Sequence, residues 1–295
     1  MNIVLTGAEG QLGFELQRAL APLGDVRALD RAACDLADAD GLRERLRALE
    51  PAIIVNAAAY TAVDRAESDE SAATAVNALA PGVIGEIAAA YGAPVLHFST
   101  DYVFDGRLDR PYRETDAVEP QSVYGRTKLD GERSLAAANP RHWVLRTSWV
   151  VGARGGNFAR TMLRLAAERE SLRVVADQIG APTSAALLAD LGAHLLRQWQ
   201  CRGDEGAAWG LYHATASGHT SWFEYERFVL AQARAAGRPL KAGPDDVHPI
   251  TTAQYPTPAR RPANSRLDCS RFERTFGLRL PPWQEGVGHV LRQIL

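Results

Sequence analysis

The first half of the chain alternates short apolar runs with longer segments of helical periodicity. Five apolar runs predict buried strands, at residues 2–6, 26–29, 53–55, 95–98 and 143–149. Apolar residues at helical spacing predict helices between them, at residues 14–20, 42–49, 62–77, 83–91 and 125–138. Strands that alternate with helices in this way form a parallel sheet with right-handed crossovers. The pattern therefore predicts an α/β fold with a doubly wound parallel sheet in residues 1–150.

The pattern changes after residue 150, where the regular alternation ends. Helices are expected at residues 158–169, 184–199, 221–236 and 283–294, and short strands at residues 173–175 and 211–213. The helix at 184–199 and the strand at 211–213 look like returns to the sheet. We therefore predict a first domain of residues 1–150 with returns at about 184–215. Residues 151–183 and 216–295 are predicted to form a smaller C-terminal substrate domain.

Composition narrows the possible partners. The 295 residues carry a formal net charge of -2 and no basic run, which argues against nucleic acid or an anionic membrane as a partner. Cys34, Cys201 and Cys269 are odd in number and lack metal-ligand spacing, so reduced thiols and no metal site are expected. The N-terminus does not resemble a signal peptide, and no window of 18 apolar residues occurs. These features predict a cytoplasmic protein without a membrane span.

Directly after the first strand, glycines recur at every third position, as Gly7, Gly10 and Gly13. Strand, glycine turn and helix is the order of a Rossmann-type dinucleotide site. Gly7 and Gly10 let the backbone turn and approach a pyrophosphate, and Gly13 lets the helix pack on the strand. Gln11 and Leu12 open that helix, whose N-terminus would face the phosphates. A glycine turn that serves only chain reversal is the alternative.

The ends of the next two strands extend this predicted site. Asp30 follows the second strand where an acid bonds the adenosine ribose of NADH, whereas Arg31 beside it suits the 2'-phosphate of NADPH. The sequence therefore leaves NADPH or NADH open. Asp35 and Leu36 are expected over the adenine, although Asp35 is an equal candidate for a helix cap. Small side chains after the third strand allow a flat ligand, or else tight strand-to-helix packing, at Ala57, Ala58, Ala59 and the adjoining Tyr60.

A candidate catalytic set lies further along the chain. Tyr124 precedes Lys128 by four residues in a predicted helix, so both side chains share one face. A tyrosine hydroxyl titrates near ~10, and an adjacent ammonium would lower that pKa by stabilising the phenolate. Thr100 and Asp101 follow the fourth strand, where ligands bind in an open parallel sheet, and Thr100 is the expected hydroxyl partner of Tyr124. A solvated helix face is the alternative for the Tyr and Lys pair, and residues 102–121 are expected to form an irregular loop or lid.

In this order and spacing the glycine turn, Thr100, Tyr124 and Lys128 resemble the extended short-chain dehydrogenase/reductase family. Further stretches narrow the resemblance to the dTDP-4-dehydrorhamnose reductases within it: GQLG at 10–13, NAAAYT at 56–61, STDYVF at 99–104, RTSW at 146–149, DQIGAPT at 177–183 and TPARRPANSRLD at 257–268. The likeness runs nearly end to end, and the last stretch is the most specific.

The resemblance implies reduction of the C4 ketone of dTDP-4-dehydro-6-deoxy-L-mannose to dTDP-L-rhamnose by NADPH or NADH. It implies that Tyr124 is the general acid, that Lys128 lowers its pKa and holds the nicotinamide ribose, and that Thr100 bonds the ketone oxygen. Asp101 would orient the sugar or cap its loop. Trp149 would pack on the sugar or the thymine. Candidate partners for the diphosphate are Asn157, Arg260 and Arg261, with a surface salt bridge as the alternative for each arginine.

One departure concerns magnesium. Some relatives form a magnesium-bridged dimer through acidic residues, and this chain has Ala186 where several of them carry a glutamate before Leu-Leu-Ala-Asp. Glu15 remains available, but the sequence does not predict a metal-bridged dimer, and a monomer or a homodimer stays open. A nucleotide-sugar 4-epimerase of the same family is one alternative function. A non-catalytic regulatory subunit, like the family's methionine adenosyltransferase partner, is the other.

Overall fold

Parallel strand pairing organises the first part of the computed structural model, which describes residues 1–295. Its six sheet strands are β1 (Asn2–Thr6), β2 (Asp25–Leu29), β3 (Ile53–Asn56), β4 (Val95–Thr100), β5 (His142–Thr147) and β10 (Gly210–His213). They are all parallel, in the order β10-β5-β4-β3-β1-β2. The strand order reverses next to β1, since β2 lies on one side of it and β3 on the other. The predicted Rossmann-type doubly wound sheet is confirmed.

Helices cover both faces of this sheet through apolar stripes at helical spacing. On one face, α1 (Gln11–Leu20) and α8 (Ala185–Arg202) bury leucines that include Leu16 and Leu195. The short α10 (Ser270–Phe276), which the sequence pattern did not predict, adds two phenylalanines to this core. On the other face lie α2 (Ala39–Leu49), α5 (Ala80–Ala90) and α6 (Val123–Ala138). Burying β1, β3 and β4 between two helical layers explains why their sequences are continuously apolar.

The helices before β4 differ from the sequence prediction. The predicted helix at residues 62–77 is split into α3 (Val63–Ala66) and α4 (Glu70–Thr74), and the predicted break after Asn77 does not occur. A π-helical turn, Ala75–Leu79, joins α4 to α5 without interruption. Pro81 has no N–H for the carbonyl of Asn77, and the Asn77 side chain is bound to both backbone polar groups of Tyr60. The helix therefore continues past Pro81 because the π-helical turn shifts the hydrogen-bond register there. The contacts of Asn77 with Tyr60 stabilise this turn.

The continuous helix Glu70–Ala90 bears on the expectation that the chain has no membrane span. It has 21 residues and a mean hydropathy of 1.3 in its most apolar window, so by length and composition it is one helix that could cross a membrane. However, 56% of that window is buried inside the protein. Val83, Ile84 and Ile87 belong to the core on the second face of the sheet. We therefore attribute the hydropathy of this helix to packing within the protein.

The remaining elements build a second, smaller cluster around its own apolar core. They are β6 (Val150–Val151), α7 (Phe158–Glu168), β7 (Leu172–Val175), β8 (Ile179–Gly180), β9 (Thr183–Ser184), β11 (Thr220–Ser221), α9 (Trp222–Ala235), β12 (Val247–Ile250) and α11 (Trp283–Ile294). The strand β12, which the pattern did not predict, pairs in parallel with β7. The separate core supports the predicted second domain, and its boundaries remain a prediction.

The predicted lid, residues 102–121, is irregular but bound along its length. Tyr112 exchanges backbone hydrogen bonds with the segment around Leu267, donating to Arg266 and accepting from Asp268. The Asn264 amide donates to two further carbonyls of this loop. The loop is thus fixed to residues 264–268, which lie far away in the sequence.

Candidate active site

A cavity of about 830 Å³ lies at the carboxyl ends of β1, β3 and β4, beside the reversal in strand order. Ligands of open α/β sheets bind at this place because successive strands feed their loops to opposite sides there. Its lining includes Gly7 and Asp30, Thr100 and Tyr124, and Trp149. Most of the predicted site residues therefore line one cavity.

The glycine turn has the geometry of a phosphate cradle. Gly7 has a φ of 75°, and a Cβ on it would lie 2.6 Å from the backbone nitrogen of Ala58. A Cβ on Gly13 would lie 2.0 Å from the Gly7 carbonyl oxygen. Helix α1 begins at Gln11 without a capping side chain, so its first amides are free for an anion. These residues fit the pyrophosphate of a dinucleotide.

The predicted adenosine end is also part of the cavity, which Asp30, Arg31, Asp35 and Leu36 line. The Asp30 carboxylate accepts a hydrogen bond from the amide of Ala33, which fixes its position. The Arg31 side chain is 84% exposed and lies 3.7 Å from Asp35. The predicted capping role of Asp35 is wrong, because Asp38 caps α2 by accepting from the amide of Gly41.

Thr100 and Tyr124 both line the cavity, and their hydroxyls are close enough to interact. Burial raises the pKa of Tyr124 to about 12, against a lowering effect of its hydrogen bond with Thr100, while the charge of Asp101 adds to the rise. Asp101 is buried, and its Oδ1 accepts from the Thr100 hydroxyl at 3.1 Å while its Oδ2 has no partner. Burial raises the pKa of Asp101 to about 6. The pair is therefore set up as a proton donor rather than as a phenolate.

Lys128 reaches the same cavity but does not bond Tyr124. Its Nζ donates to the carbonyl of Phe98 at 2.7 Å and lies 3.3 Å from Nε2 of His97. Burial lowers the pKa of Lys128 to about 8, against the raising effect of Glu132. Burial is the largest effect on the pKa of Tyr124, and the expected lowering of that pKa by Lys128 remains a prediction.

Aromatic side chains form one wall of the cavity. Trp149 adopts the left-handed backbone conformation, with a φ of 48°, which is strained for a bulky residue. Its ring stacks on Trp222 with centroids 3.6 Å apart, and Trp222 donates to Gln178. Trp222, Phe158 and Tyr225 also line the cavity, although no pattern in the sequence indicated it. Their positions on helices made them look like ordinary core residues.

Two further side chains have defined structural partners. The Asn157 side chain caps α7 by accepting from Arg160, and its amide donates to Gln11 and to Gly152. The Gln11 oxygen also accepts from the amide of Gly152 at 2.7 Å. Asn157 and Gln11 therefore join the glycine turn to the second cluster, a connection that the spacing in the sequence did not indicate.

The two candidate arginines are in different positions. Arg261 lines the cavity and bonds the carboxylate of Asp64 at 2.8 Å. Arg260 is exposed, lies outside the lining and donates to Gln121. Glu15 on α1 is paired with Arg18, which also binds Asp190. No cluster of three or more metal-ligating side chains occurs among residues 1–295.

Comparison with known proteins places this geometry in a family. The chain matches the family of the RmlD substrate binding domain over residues 1–295. It is 49% identical over 298 residues to the dTDP-4-dehydrorhamnose reductase of Escherichia coli K12, covering 100% of this chain and 98% of that protein. The crystal structure of a dTDP-4-dehydrorhamnose reductase from Clostridium acetobutylicum superposes with a TM-score of 0.90 at 34% identity, covering 99% of each chain. The Bacillus anthracis reductase, solved in complex with NADP, gives 0.89 at 33% identity, covering 99% of this chain and 98% of that one. Because these matches span the whole chain, it belongs to the RmlD substrate binding domain family.

Proposed function

We propose that this protein is an NAD(P)H-dependent oxidoreductase that reduces dTDP-4-dehydro-6-deoxy-L-mannose to dTDP-L-rhamnose, the last step in making that sugar donor. One observation carries the proposal. The Thr100 and Tyr124 hydroxyls, the glycine turn and the aromatic side chains line one cavity, in a chain that is 49% identical to a dTDP-4-dehydrorhamnose reductase.

The side chains of the cavity supply the proton side of this reaction. Bound NAD(P)H supplies the hydride that the C4 carbon of the sugar gains. The Thr100 and Tyr124 hydroxyls bond the ketone oxygen, and Tyr124 gives its proton to that oxygen as negative charge develops there. A pKa of about 12 keeps Tyr124 protonated at neutral pH, so the donor is available before the reaction begins. The Lys128 ammonium stabilises the phenolate that results and holds the nicotinamide ribose.

The residues of the glycine turn and of the adenosine end are proposed to hold the cofactor. The free amides at the start of α1 bind the pyrophosphate, with Ala57, Ala58, Ala59 and Tyr60 along the same side of the cavity. Asp30 suits a ribose hydroxyl and the exposed Arg31 suits a 2'-phosphate, so we propose that NADPH and NADH both serve. The NADP complex of the Bacillus anthracis relative supports the NADPH part of this proposal.

The sugar nucleotide is proposed to bind on the opposite side. Asp101 has a buried oxygen without a partner and is the candidate for a sugar hydroxyl. Trp149 packs on the sugar or the thymine, and Arg261 is the better placed arginine for the diphosphate because it lines the cavity. Residues 151–183 and 216–295 then form the substrate domain. A cytoplasmic location and a monomer or homodimer remain predictions.

The test is oxidation of NADPH and of NADH with dTDP-4-keto-6-deoxy-glucose, with and without a 3,5-epimerase. We expect oxidation only when the epimerase is present, and dTDP-rhamnose as the product by mass spectrometry and NMR. Retained NAD with interconversion of two sugars at C4 would instead indicate an epimerase. Cofactor binding without any turnover would favour a regulatory subunit.

A further inference from the structure

A chain of buried polar side chains leads away from Lys128 beneath the cavity. Nζ of Lys128 lies 3.3 Å from Nε2 of His97, and Nδ1 of that ring lies 3.0 Å from Nδ2 of Asn56. The Asn56 oxygen accepts from the hydroxyl of Thr6 at 2.7 Å. All four residues are at most 2% exposed, and of them only Lys128 lines the cavity. This row of hydrogen-bonded side chains therefore crosses the adjacent strands β1, β3 and β4 and ends at Lys128.

The hydrogen-bond donors and acceptors of Thr6, Asn56, His97 and Lys128 can be matched in two ways. In the first, Asn56 donates to Nδ1 of His97, so the neutral ring carries its proton on Nε2 and donates it to a neutral Lys128 amine. In the second, the Asn56 amide is turned over, its oxygen accepts from Nδ1, and Nε2 accepts from the Lys128 ammonium. The Thr6 hydroxyl serves either orientation, as donor or as acceptor. One amide rotation and one tautomer change thus keep Lys128 paired in both of its charge states.

We propose that His97 is a positioning residue for Lys128, whose ring, held by Asn56 and Thr6, keeps the lysine nitrogen in place whether the amine is charged or neutral. This inference rests on the proposed function, in which the Lys128 ammonium stabilises the Tyr124 phenolate. An unpaired amine in this buried place would carry the full cost of desolvation. With His97 present, the amine has the ring and the Phe98 carbonyl as partners in either state.

The other charged and titratable groups near Lys128 have partners or roles of their own. Glu132, one turn later on α6, is bound to the guanidinium of Arg146 on β5 and accepts from Ser99 on β4. Burial first, and then the charges of Lys128 and His142, hold the pKa of His97 well below its usual value, so the ring stays neutral. Tyr124 lies one turn before Lys128 on α6, and Asp101 faces Tyr124. His97 is therefore the neutral partner that adapts when the lysine changes charge.

Kinetics of two variants test the proposal. His97→Leu fills the same space without a polar atom, and His97→Gln restores a terminal amide that can donate or accept. For His97→Leu we expect kcat to fall about tenfold and the basic limb of the pH profile to move roughly one pH unit toward acid, because the ammonium has lost its acceptor. For His97→Gln we expect most of both effects to be recovered.

Two outcomes would overturn it. One is an unchanged kcat and pH profile in His97→Leu. The other is a glutamine variant as defective as the leucine variant, with the loss confined to KM or to thermal stability, which would indicate a structural role only.

NMR of the unliganded chain supplies a readout that is independent of turnover. With ¹⁵N-labelled histidine, the proton of His97 should move from Nδ1 to Nε2 as pH rises through the titration of Lys128, and Lys128→Met should abolish this movement. A tautomer that stays constant while Lys128 titrates contradicts the inference. If the wild-type protein shows no ketone reduction, the proposed function fails, whereas the NMR result still decides the role of His97.

Discussion

At the scale of single residues, the proton donor is the sharpest test of the proposed chemistry. Tyr124→Phe removes one hydroxyl and leaves the ring, whose edge packs against Tyr102. We expect kcat to fall by about 10² to 10⁴, the usual contribution of general acid catalysis, with cofactor Kd unchanged. The matched control is Tyr91→Phe, which removes a surface hydroxyl that donates to the backbone carbonyl of Arg47 outside the cavity. A kcat near that of the wild type in Tyr124→Phe would remove this hydroxyl from the mechanism.

A second residue-scale prediction concerns Glu226 in α9, which is 0% exposed and has no partner for either carboxylate oxygen. Burial raises its pKa from 4.5 to about 8. The folded state therefore binds the proton more tightly than the unfolded state. The contribution of Glu226 to the free energy of unfolding is therefore fully present below pH 4.5. It is lost as pH rises toward 8, by roughly 1.4 kcal/mol per pH unit.

Replacement of Glu226 by an apolar residue should remove this pH-dependent loss of the free energy of unfolding. Glu226→Met is expected to raise the free energy of unfolding at pH 7 and to flatten its pH dependence between 5 and 8 by about the same slope, as measured by urea unfolding. Glu224→Gln, an exposed position in the same helix, is the control and should change neither quantity. Equal pH slopes in Glu226→Met and the wild type would show that this carboxyl is not buried and protonated in the folded protein.

At the scale of elements, the short strand β8 positions the aromatic wall. A Cβ on Gly180 would lie 2.6 Å from Cε2 of Trp149, so Gly180→Ala must displace that ring from its stack on Trp222. We expect KM for the sugar nucleotide to rise while cofactor Kd stays constant, since the glycine turn is untouched. Gly288→Ala in α11 is the control, because its new Cβ meets only the end of a flexible arginine. Equal effects of the two variants on KM would contradict the role given to Trp149.

At the scale of the whole molecule, Arg261 and Asp64 join the segment after β12 to the sheet domain next to the cavity. Arg261→Ala should weaken nucleotide-sugar binding by roughly 1.5–3 kcal/mol, the range for hydrogen bonds to charged groups. Arg260→Ala is the matched neighbour and should change it little, because that side chain lies outside the cavity. Asp64→Asn retains the arginine and separates loss of the ion pair from loss of the phosphate contact. Equal losses in the two alanine variants would show that this segment does not contact the diphosphate through Arg261.

The sequence by itself determined the features that depend on neighbouring residues. Apolar periodicity fixed the parallel sheet and most helices, since it records which face of each element is buried. The glycines at every third position determined a turn in which Gly7 and Gly13 have no room for a side chain. The spacing of Tyr124 and Lys128 placed them on one helical face. Each of these features depends on residues that are close together in the sequence, so it can be predicted without knowing the fold.

Only the tertiary structure decided which distant residues meet. Helix continuity through Asn77, the stack of Trp222 on Trp149 and the contact of His97 with Lys128 each join parts of the chain that no local pattern relates. The fold also separated Arg261 from Arg260, although the two are adjacent in sequence. Burial and pairing depend on long-range packing, and they set the charge state of Lys128 and Tyr124. The identity of those residues was therefore predictable, while their electrostatic state was not.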